Sequence, residues 1–195
     1  MGQPFFLESD VVKIARQLLG MELHTCFDGT HCSALIAETE AYAGITDRAS
    51  HAWNGRKTKR TQTMYLNGGI AYVYLCYGIH HLFNIVTNRV GIPDAVLIRA
   101  VVPLSGIDEM IKRDVKGAAK ATLLAGPGRV SKCMGINTAH DKIDLLGDTI
   151  WLEKSNFVLD TKEIFTSKRV GVDYAGDDAH LPYRFIWKTN YGNYC

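Results

Sequence analysis

Two glutamates and a tyrosine alternate in the segment Glu38-Thr-Glu-Ala-Tyr42. Side chains at alternate positions of a β-strand point to the same face, so Glu38, Glu40 and Tyr42 would lie together, with Ile36 making that face partly apolar. A carboxylate that is partly desolvated beside an aromatic ring acquires the pKa of a usable general base. The simpler interpretation is a strand whose polar face meets water, and the spacing by itself leaves both open.

The tyrosines of residues 71–77 form a second group of candidates. Tyr72 and Tyr74 share one face of this predicted strand, where tyrosines usually pack in the core with their hydroxyl groups satisfied. Tyr77 falls on the other face, next to a hairpin bend at Gly78 and beside a basic loop. A tyrosine in that position is well placed to act as an exposed wedge.

Two polar residues interrupt apolar strands. Asn84 lies within residues 82–87 and Arg99 within residues 95–102. Polar groups inside strands need hydrogen-bond partners or a ligand, so both are candidates for a binding site. His51 is a further candidate, although a single loop histidine is more often a surface residue.

The net charge of +2 conceals a strong segregation of charge along the chain. Residues 1–47 contain seven acids and two bases, whereas residues 48–93 contain six bases and no acid. Such a window indicates a surface that faces a polyanion such as nucleic acid, and chance fluctuation is the alternative. The six bases are Arg48, Arg56, Lys57, Lys59, Arg60 and Arg89.

A second basic run follows in a segment predicted to be helical. Lys112, Lys116 and Lys120 would share one helix face. Most such faces are simply solvated. With Arg129 and Lys132 just beyond, contact with phosphates is the sharper alternative.

Composition and missing motifs exclude several classes of protein. Hydrophobic residues make up 47% and charged residues 22% of the chain, which is ordinary for a globular protein. The sequence has no apolar run of about 18 residues and no signal-peptide pattern at its start, so we expect a cytoplasmic protein without a membrane span. It also lacks the G-x-S-x-G, Walker, H-E-x-x-H and G-x-G-x-x-G motifs, which argues against the corresponding enzymes.

The five cysteines form no C-x-x-C pair, so we expect reduced thiols. His24, Cys26, His31 and Cys32 lie close in sequence and raise the question of zinc. Their spacing matches no usual ligand pattern, and a strand would point them both ways. We therefore expect no metal there.

Hydrophobic periodicity predicts one α+β domain, with helices flanking a largely antiparallel sheet. Residues 44–70 are predicted to form a long loop, and loops of that length are usually functional. The predicted helices cover residues 11–19, 107–123 and 131–136. The predicted strands lie in residues 21–43 with a turn at Asp28-Gly29, in 71–77, 82–87, 95–102 and 149–153, and in 183–188.

In order and spacing, the motifs of this chain resemble those of the alkyladenine (3-methyladenine) DNA glycosylase family, in the short form typical of bacteria. The resemblance extends from about Leu7 to Trp187. It rests on Glu38-Thr-Glu-Ala-Tyr42, Ala49-Ser-His51, Gly55-Arg56, Thr58, Arg60, Met64, Tyr72-Val-Tyr74, Tyr77-Gly78, Asn84, Leu97-Ile-Arg-Ala100, Gly126-Pro127 and Arg169-Val-Gly-Val172.

The resemblance implies a single domain over residues 1–195, with a curved, largely antiparallel sheet and a protruding hairpin that enters the DNA minor groove. It implies an enzyme that flips damaged purines out of duplex DNA and hydrolyses the N-glycosidic bond, leaving an abasic site. The implied substrates are 3-methyladenine, 7-methylguanine, hypoxanthine and ethenoadenine. The implied enzyme is a monomer that works in the bacterial cytoplasm, without a metal or cofactor and without membrane contact.

By the same resemblance, Glu40 is the general base that activates the attacking water. Arg99 and the backbone carbonyl of Val170 help to hold that water. Tyr77 is the hairpin wedge that fills the gap left by the flipped nucleotide.

The resemblance also assigns the pocket for the base. Tyr42, His51 and Tyr74 sandwich and bind the flipped base, and Asn84 crowds the exocyclic amino group of guanine. The basic residues expected to contact the DNA backbone are Arg56, Lys57, Lys59, Arg60, Arg129 and Lys132.

Two other functions stay open at this point: a protein that binds damaged DNA without excising the base, and a hydrolase of nucleosides or RNA. The chain also departs from the family pattern. Asp173-Tyr174 replaces the Gly-His of some relatives, which leaves the selectivity for bases open, and Asn67-Gly68-Gly69 replaces a common Pro-Gly, which leaves the loop path open.

Overall fold

An antiparallel β-sheet of nine strands is the framework of the structure, a computed structural model that describes residues 2–114, 123–157 and 159–188. The order β3-β4-β5-β2-β1-β7 forms the main path, while β6 pairs with β5, and β9 pairs with both β2 and β8. The strands are β1 (Glu22–Phe27), β2 (Thr30–Tyr42), β3 (Ala71–Cys76), β4 (His80–Thr87), β5 (Asp94–Ser105), β6 (Leu124–Ala125), β7 (Ile150–Glu153), β8 (Ile164–Ser167) and β9 (Arg184–Trp187).

Short helices lie around the sheet. They are α1 (Gln3–Phe6), α2 (Val11–Gln17), α3 (Ile107–Arg113) and α4 (Pro127–Met134). Asp10 begins α2 by accepting hydrogen bonds from the backbone of Val12 and Lys13, which is the usual role of an N-cap aspartate. Thr39 Oγ1 donates to Ala15 O at 2.7 Å and so ties α2 to β2. No helix in the described part of the chain is long and apolar enough to cross a membrane.

The main core lies between the helices and the sheet. Burial of each large apolar side chain contributes about 1.5–3 kcal/mol relative to an exposed one. The fully buried residues of this main core include Phe6, Ile14, Leu18, Leu23, Phe83, Ile85, Ile98 and Met134. The one-domain α+β fold and the largely antiparallel sheet expected from the sequence are thus confirmed.

The register of β2 against β5 shifts on both sides of Glu38. Ala37 on β2 and Arg99 on β5 have no residue directly opposite, which is the pattern of a β-bulge. Bulges redirect side chains, and Arg99 reaches Glu38 and Glu40. The shift also interrupts the alternation expected for this strand. Ile36 is fully buried in the main core and does not line the cavity described below.

The hairpin of β3 and β4 turns at Tyr77 and Gly78, whose φ angles are +50° and +72°. Positive φ at both central residues is the pattern of a type I′ turn, which fits the twist of the strands. Tyr77 is 91% exposed and Ile79 is 73% exposed. The expectation of a hairpin that ends in an exposed tyrosine is therefore correct.

Several predicted boundaries were wrong. The helix predicted over residues 107–123 ends at Arg113, and Lys116 and Lys120 lie outside the described residues. The helix predicted over 131–136 begins already at Pro127, because proline fits the first turn of a helix. Strand β5 continues through Pro103 to Ser105. The sequence patterns did not indicate α1, β6, β8 or the 3₁₀ segment Asp173–His180.

The predicted loop 44–70 contains two short 3₁₀ helices, Trp53–Gly55 and Gln62–Tyr65, and is otherwise irregular. It leads from the end of β2 to the start of β3. This path brings His51 and Arg60 to the lining of the cavity described below.

Candidate active site

Glu40 on β2 is fully buried, and three groups bind its carboxylate. Tyr42 Oη donates to Oε2 at 2.8 Å, and the backbone N–H of Val170 donates to Oε1 at 2.8 Å. Arg99 Nη1 approaches Oε2 at 3.4 Å. The structure thus brings Tyr42, a predicted residue of the base pocket, together with the three predicted catalytic residues Glu40, Arg99 and Val170. The predicted role of Val170 is for its carbonyl to hold the water, whereas its amide is the group that binds Glu40.

A cavity of about 400 Å³ opens beside this carboxylate. Tyr42, Arg99 and Val170 line the cavity and also bind Glu40, so the carboxylate lies directly behind the cavity wall. The predicted site residues found in the lining are Tyr42, His51, Arg60, Tyr74, Tyr77, Asn84, Arg99 and Val170.

A second carboxylate holds Arg99 in place. Glu38 Oε1 accepts from Arg99 Nε at 2.8 Å and from Arg184 Nε at 2.7 Å. Glu38 and Glu40 therefore share Arg99, as residues on one face of β2 can do. The guanidinium balances part of the negative charge that the two carboxylates place behind the cavity.

Burial raises the pKa of Glu40, and this effect outweighs the opposing contributions of Arg99, the Val170 amide and Tyr42. Burial lowers the pKa of Arg99, but the negative charges of Glu40 and Glu38 outweigh it and leave that pKa above its ordinary value. Burial also raises the pKa of Tyr42 well above its ordinary value, with the charge of Glu40 adding to the effect. A carboxylate with a raised pKa beside a permanent cation is suited to accepting a proton near neutral pH.

Aromatic rings form part of the cavity wall. The rings of His51 and Tyr74 meet edge to face with their centroids 4.7 Å apart. His51 Nδ1 lies 3.1 Å from Tyr72 Oη. The guanidinium of Arg60 stands over the ring of Tyr74 at 4.4 Å. The electron-rich face of an aromatic ring in such a wall can stack against the face of a heteroaromatic ligand.

His51 is neutral at physiological pH. Burial, followed by the positive charges of Arg60 and Arg56, lowers its pKa to about 4. Arg60 Nη2 lies 3.4 Å from His51 Nε2. A neutral imidazole presents one donor and one acceptor, so it can bind a ligand without adding a charge to the cavity.

Asn84 lies on β4 and is almost completely buried in the cavity wall. Its Nδ2 group donates to the carbonyl oxygens of Tyr72 and Leu82, each at 3.2 Å. These two bonds fix the plane of the amide. The side chain is therefore held in one orientation in the wall.

The basic residues predicted to contact DNA phosphates lie in different surroundings. Residues 56–60 are all exposed, and Lys57 Nζ stands over the Tyr65 ring at 5.1 Å. Arg60 belongs to the cavity lining. Arg129 is partly buried and forms an ion pair with Asp114 at 2.8 Å, whereas Lys132 is exposed.

The histidines and cysteines near the β1–β2 turn do not converge on one point. His24 Nδ1 lies 3.1 Å from His31 Nε2, and the His24 ring stacks on Trp151 at 4.9 Å. Cys32 Sγ instead contacts Gly106 O at 3.7 Å. Over residues 2–114, 123–157 and 159–188, no group of three or more histidine, cysteine, aspartate or glutamate side chains could hold a metal ion.

A family model described as methylpurine-DNA glycosylase matches residues 5–191. The chain belongs to this family. A relative from Chlamydia abortus (strain DSM 27085 / S26/3) is 42% identical over 187 residues, which cover 95% of this chain and 97% of that protein. A relative from Bacillus cereus (strain G9842) is 39% identical over 193 residues, which cover 95% of this chain and 94% of that protein. Both relatives are provisionally named 3-methyladenine DNA glycosylases.

As a member of the methylpurine-DNA glycosylase family, the protein is a DNA glycosylase, that is, a hydrolase of N-glycosyl bonds with DNA as its substrate. The resemblance read from the short motifs is thereby confirmed over nearly the whole chain.

The cavity is also lined by residues that the sequence patterns did not place there. Met64 lines the cavity from a 3₁₀ helix, and Tyr174 lines it from the segment Asp173–His180. Tyr174 Oη donates to Ala49 O at 3.1 Å. For Tyr174, the only signal in the sequence was that Asp173-Tyr174 departs from the Gly-His of some relatives. That departure does not show where Tyr174 lies in the fold.

Proposed function

We propose that this DNA glycosylase removes damaged purines from duplex DNA by rotating the nucleotide into the cavity and hydrolysing its N-glycosidic bond with a water activated by Glu40. The observation that supports this most strongly is the position of Glu40, behind an aromatic cavity and bound by Tyr42, Arg99 and Val170. The cavity volume of about 400 Å³ lies within the usual range for small-ligand sites, about 300–1,000 Å³.

In the reaction, the bond from C1′ to the purine breaks while the water oxygen forms a bond to C1′. The bond electrons leave with the purine, the sugar passes through an oxocarbenium-like state, and Glu40 accepts a proton from the water. The negative charge of Glu40 also stabilises the developing positive charge on the sugar.

The water reaches Glu40 only when the wall opens slightly, since the carboxylate has no exposed surface. Oε1 accepts one hydrogen bond, from Val170, and a carboxylate oxygen has room for two. The contact of Arg99 with Oε2 is the longest of the three at 3.4 Å. A shift of Arg99 on DNA binding would let the water enter between the guanidinium and the carboxylate, where both groups can orient it.

The residues of the cavity wall support a preference for positively charged bases. An alkylated purine already carries a positive charge, which makes it a good leaving group and favours stacking on the tyrosine faces of Tyr42 and Tyr74. His51 is neutral and so does not repel such a base. Asn84 disfavours the exocyclic amino group of normal guanine. The proposed substrates are 3-methyladenine and 7-methylguanine, which leave as neutral bases, together with hypoxanthine and ethenoadenine, which carry no charge in DNA and must gain a proton on a ring nitrogen as they leave.

The hairpin supports the extrusion of the nucleotide. Tyr77 lies at its tip, 91% exposed, and also borders the cavity. Rotating a nucleotide out of the duplex costs roughly a few kcal/mol of stacking and pairing. An aromatic side chain inserted from the minor groove fills the gap and offsets part of that cost.

The exposed lysines Lys57, Lys59 and Lys132 would bind the backbone phosphates of the DNA. The enzyme would act as a monomer.

The test is a set of duplex oligonucleotides, each with one of the four proposed bases, scored for release of the free base under single-turnover conditions. We expect release of at least the charged alkylpurines, with an intact abasic strand as the other product. Tight duplex binding without any release would favour a damage-binding protein instead. Release from free nucleosides that unlabelled duplex DNA does not inhibit would favour a nucleoside hydrolase.

A further inference from the structure

A buried ion pair joins Asp47 to Arg169, the residue immediately before the amide that binds Glu40. The exposed fractions of the Arg169 and Asp47 side chains are 0% and 1%. Arg169 Nη2 donates to Asp47 Oδ1 at 2.9 Å, and Nη1 donates to Oδ2. This bidentate arrangement fixes both planes. A buried ion pair is seldom more stabilising than apolar side chains of the same size, so stability alone does not explain it.

The guanidinium of Arg169 makes further contacts on two other segments. Nη1 donates to Ala41 O at 2.9 Å, and Nη2 donates to Asp178 O at 3.0 Å. Its carbon also lies 4.9 Å from the ring centroid of Tyr42. Ala41 lies between Glu40 and Tyr42 on β2, and Asp178 belongs to the 3₁₀ segment that contains Tyr174. The Arg169 side chain therefore connects β2, which carries Glu40, with the segment Asp173–His180 and with the loop that contains Asp47.

Asp47 holds the loop after β2 in place. Its carboxylate accepts from the backbone N–H of Ala43 at 3.1 Å and of Ala49 at 2.9 Å. Ala49 lines the cavity, and its carbonyl accepts from Tyr174 Oη. His51 follows two residues later. The turn that presents His51 is thus built around Asp47.

We infer that Asp47 and Arg169 are positioning residues, which hold the Val170 amide, the Tyr42 ring and the His51 loop in their places around Glu40. Neither residue lines the cavity, so they act through their neighbours. The inference rests on the proposed role of Glu40 as the general base.

The consequence for Glu40 is electrostatic. The charged and titratable groups that act on it are Arg99, Tyr42, Glu38 and the more distant Arg169. The Val170 amide is a neutral donor that favours the ionised carboxylate. If the ion pair is weakened, the segment of Val170 can move away, and the ionised form of Glu40 loses that donor. The carboxylate then needs a higher pH before it can act as a base.

The first test variant is Arg169→Lys, which keeps the charge but cannot form the two parallel hydrogen bonds. We expect the single-turnover rate of excision to fall roughly 10–100-fold, because small displacements of catalytic groups have effects of that size. We also expect the acidic limb of the pH–rate profile to move to higher pH, with duplex binding within about threefold of the wild type.

Arg113→Lys is the matched control. Arg113 on α3 is also an arginine with an acidic partner, although it is partly and not fully buried, with Nη1 bound to Cys133 O at 3.1 Å and Nε 3.4 Å from Glu109. It does not line the cavity, so its variant should keep the wild-type rate and pH profile. If Arg169→Lys does not fold, Asp47→Asn decides, since it keeps the shape and one acceptor oxygen while it removes the charge.

Glu40→Gln is measured in parallel to separate the two hypotheses. Excision by Glu40→Gln would overturn the proposed function itself. If Glu40→Gln is inactive and the folded Arg169→Lys or Asp47→Asn has the wild-type rate, only the positioning role is wrong. A slower variant whose acidic limb has not moved would also overturn the inference, because a merely structural loss lowers the rate at all pH values alike.

Discussion

Tyr42 donates a 2.8 Å hydrogen bond to Glu40 from two positions further along the same strand. The alternation of side chains in β2 is enough to bring the two groups together, and the ring of Tyr42 also lines the cavity. The same tyrosine can therefore both stack on a base and stabilise the ionised form of the carboxylate. This dual position leads to the first prediction.

Tyr42→Phe should separate these two roles. The ring remains for stacking, but Glu40 loses a hydrogen bond to its charged form, which is worth about 1.5–3 kcal/mol. We expect a pKa of Glu40 higher than in the wild type, an acidic limb of the pH–rate profile at higher pH, and a rate near pH 6 about tenfold lower. The measurement is single-turnover excision between pH 5 and 9. Equal profiles for the variant and the wild type would mean that the hydroxyl group does not act on Glu40.

His51 should make the stability of the fold depend on pH. Its pKa falls from 6.5 to about 4 in the folded protein, so the unfolded chain binds more protons between those two values. Unfolding free energy should therefore decrease as the pH falls from about 6.5 to about 4, by at most about 3 kcal/mol from this group.

His51→Gln removes that titration. Urea unfolding at pH 7 and pH 4.5 is the measurement, and the variant should lose less stability than the wild type between the two pH values. An equal loss in both proteins would contradict the low pKa of His51.

Tyr77 adopts a left-handed backbone conformation, with φ of +50°, that bulky side chains seldom occupy. Asparagine tolerates this conformation better, and the exposed ring of Tyr77 makes few contacts that the fold could lose. We expect Tyr77→Asn to unfold at the same or a slightly higher urea concentration, and to excise bases from duplex DNA at least about tenfold more slowly.

Val90→Asn is the control for Tyr77→Asn. Val90 is also an exposed apolar side chain, 68% accessible, in the connection between β4 and β5. Its variant should excise at the wild-type rate. If Tyr77→Asn is also as fast as the wild type, Tyr77 does not stabilise the extruded state.

Local patterns predicted the parts of the site that depend on neighbours in sequence. The two-residue spacing of Glu40 and Tyr42 and the bend at Tyr77 are of this kind. The two-residue alternation of side chains in β2 did not predict the bulge that turns Arg99 toward both glutamates. A bulge depends on the pairing of two strands that are distant in sequence. For the same reason, no pattern indicated that Arg60 would stand over Tyr74.

The ion pair of Asp47 and Arg169 is the clearest example of information that the local sequence lacks. The two residues are 122 positions apart, and each would be taken for an ordinary charged residue at the surface. Their contact exists only because β2, the loop after it and the segment before Asp173–His180 converge in the folded chain. The resemblance to a family covered both residues but gave no role to either.

The central claim is that Glu40 activates the water, and Glu40→Gln tests it most directly. Single-turnover release of base and binding to the same duplex are measured in parallel, with Glu153→Gln, a carboxylate on β7 bound by Trp151, as the control. We predict that Glu40→Gln binds the duplex like the wild type but releases the base roughly 10²–10⁴-fold more slowly. Release at the wild-type rate by a folded Glu40→Gln protein would contradict the account.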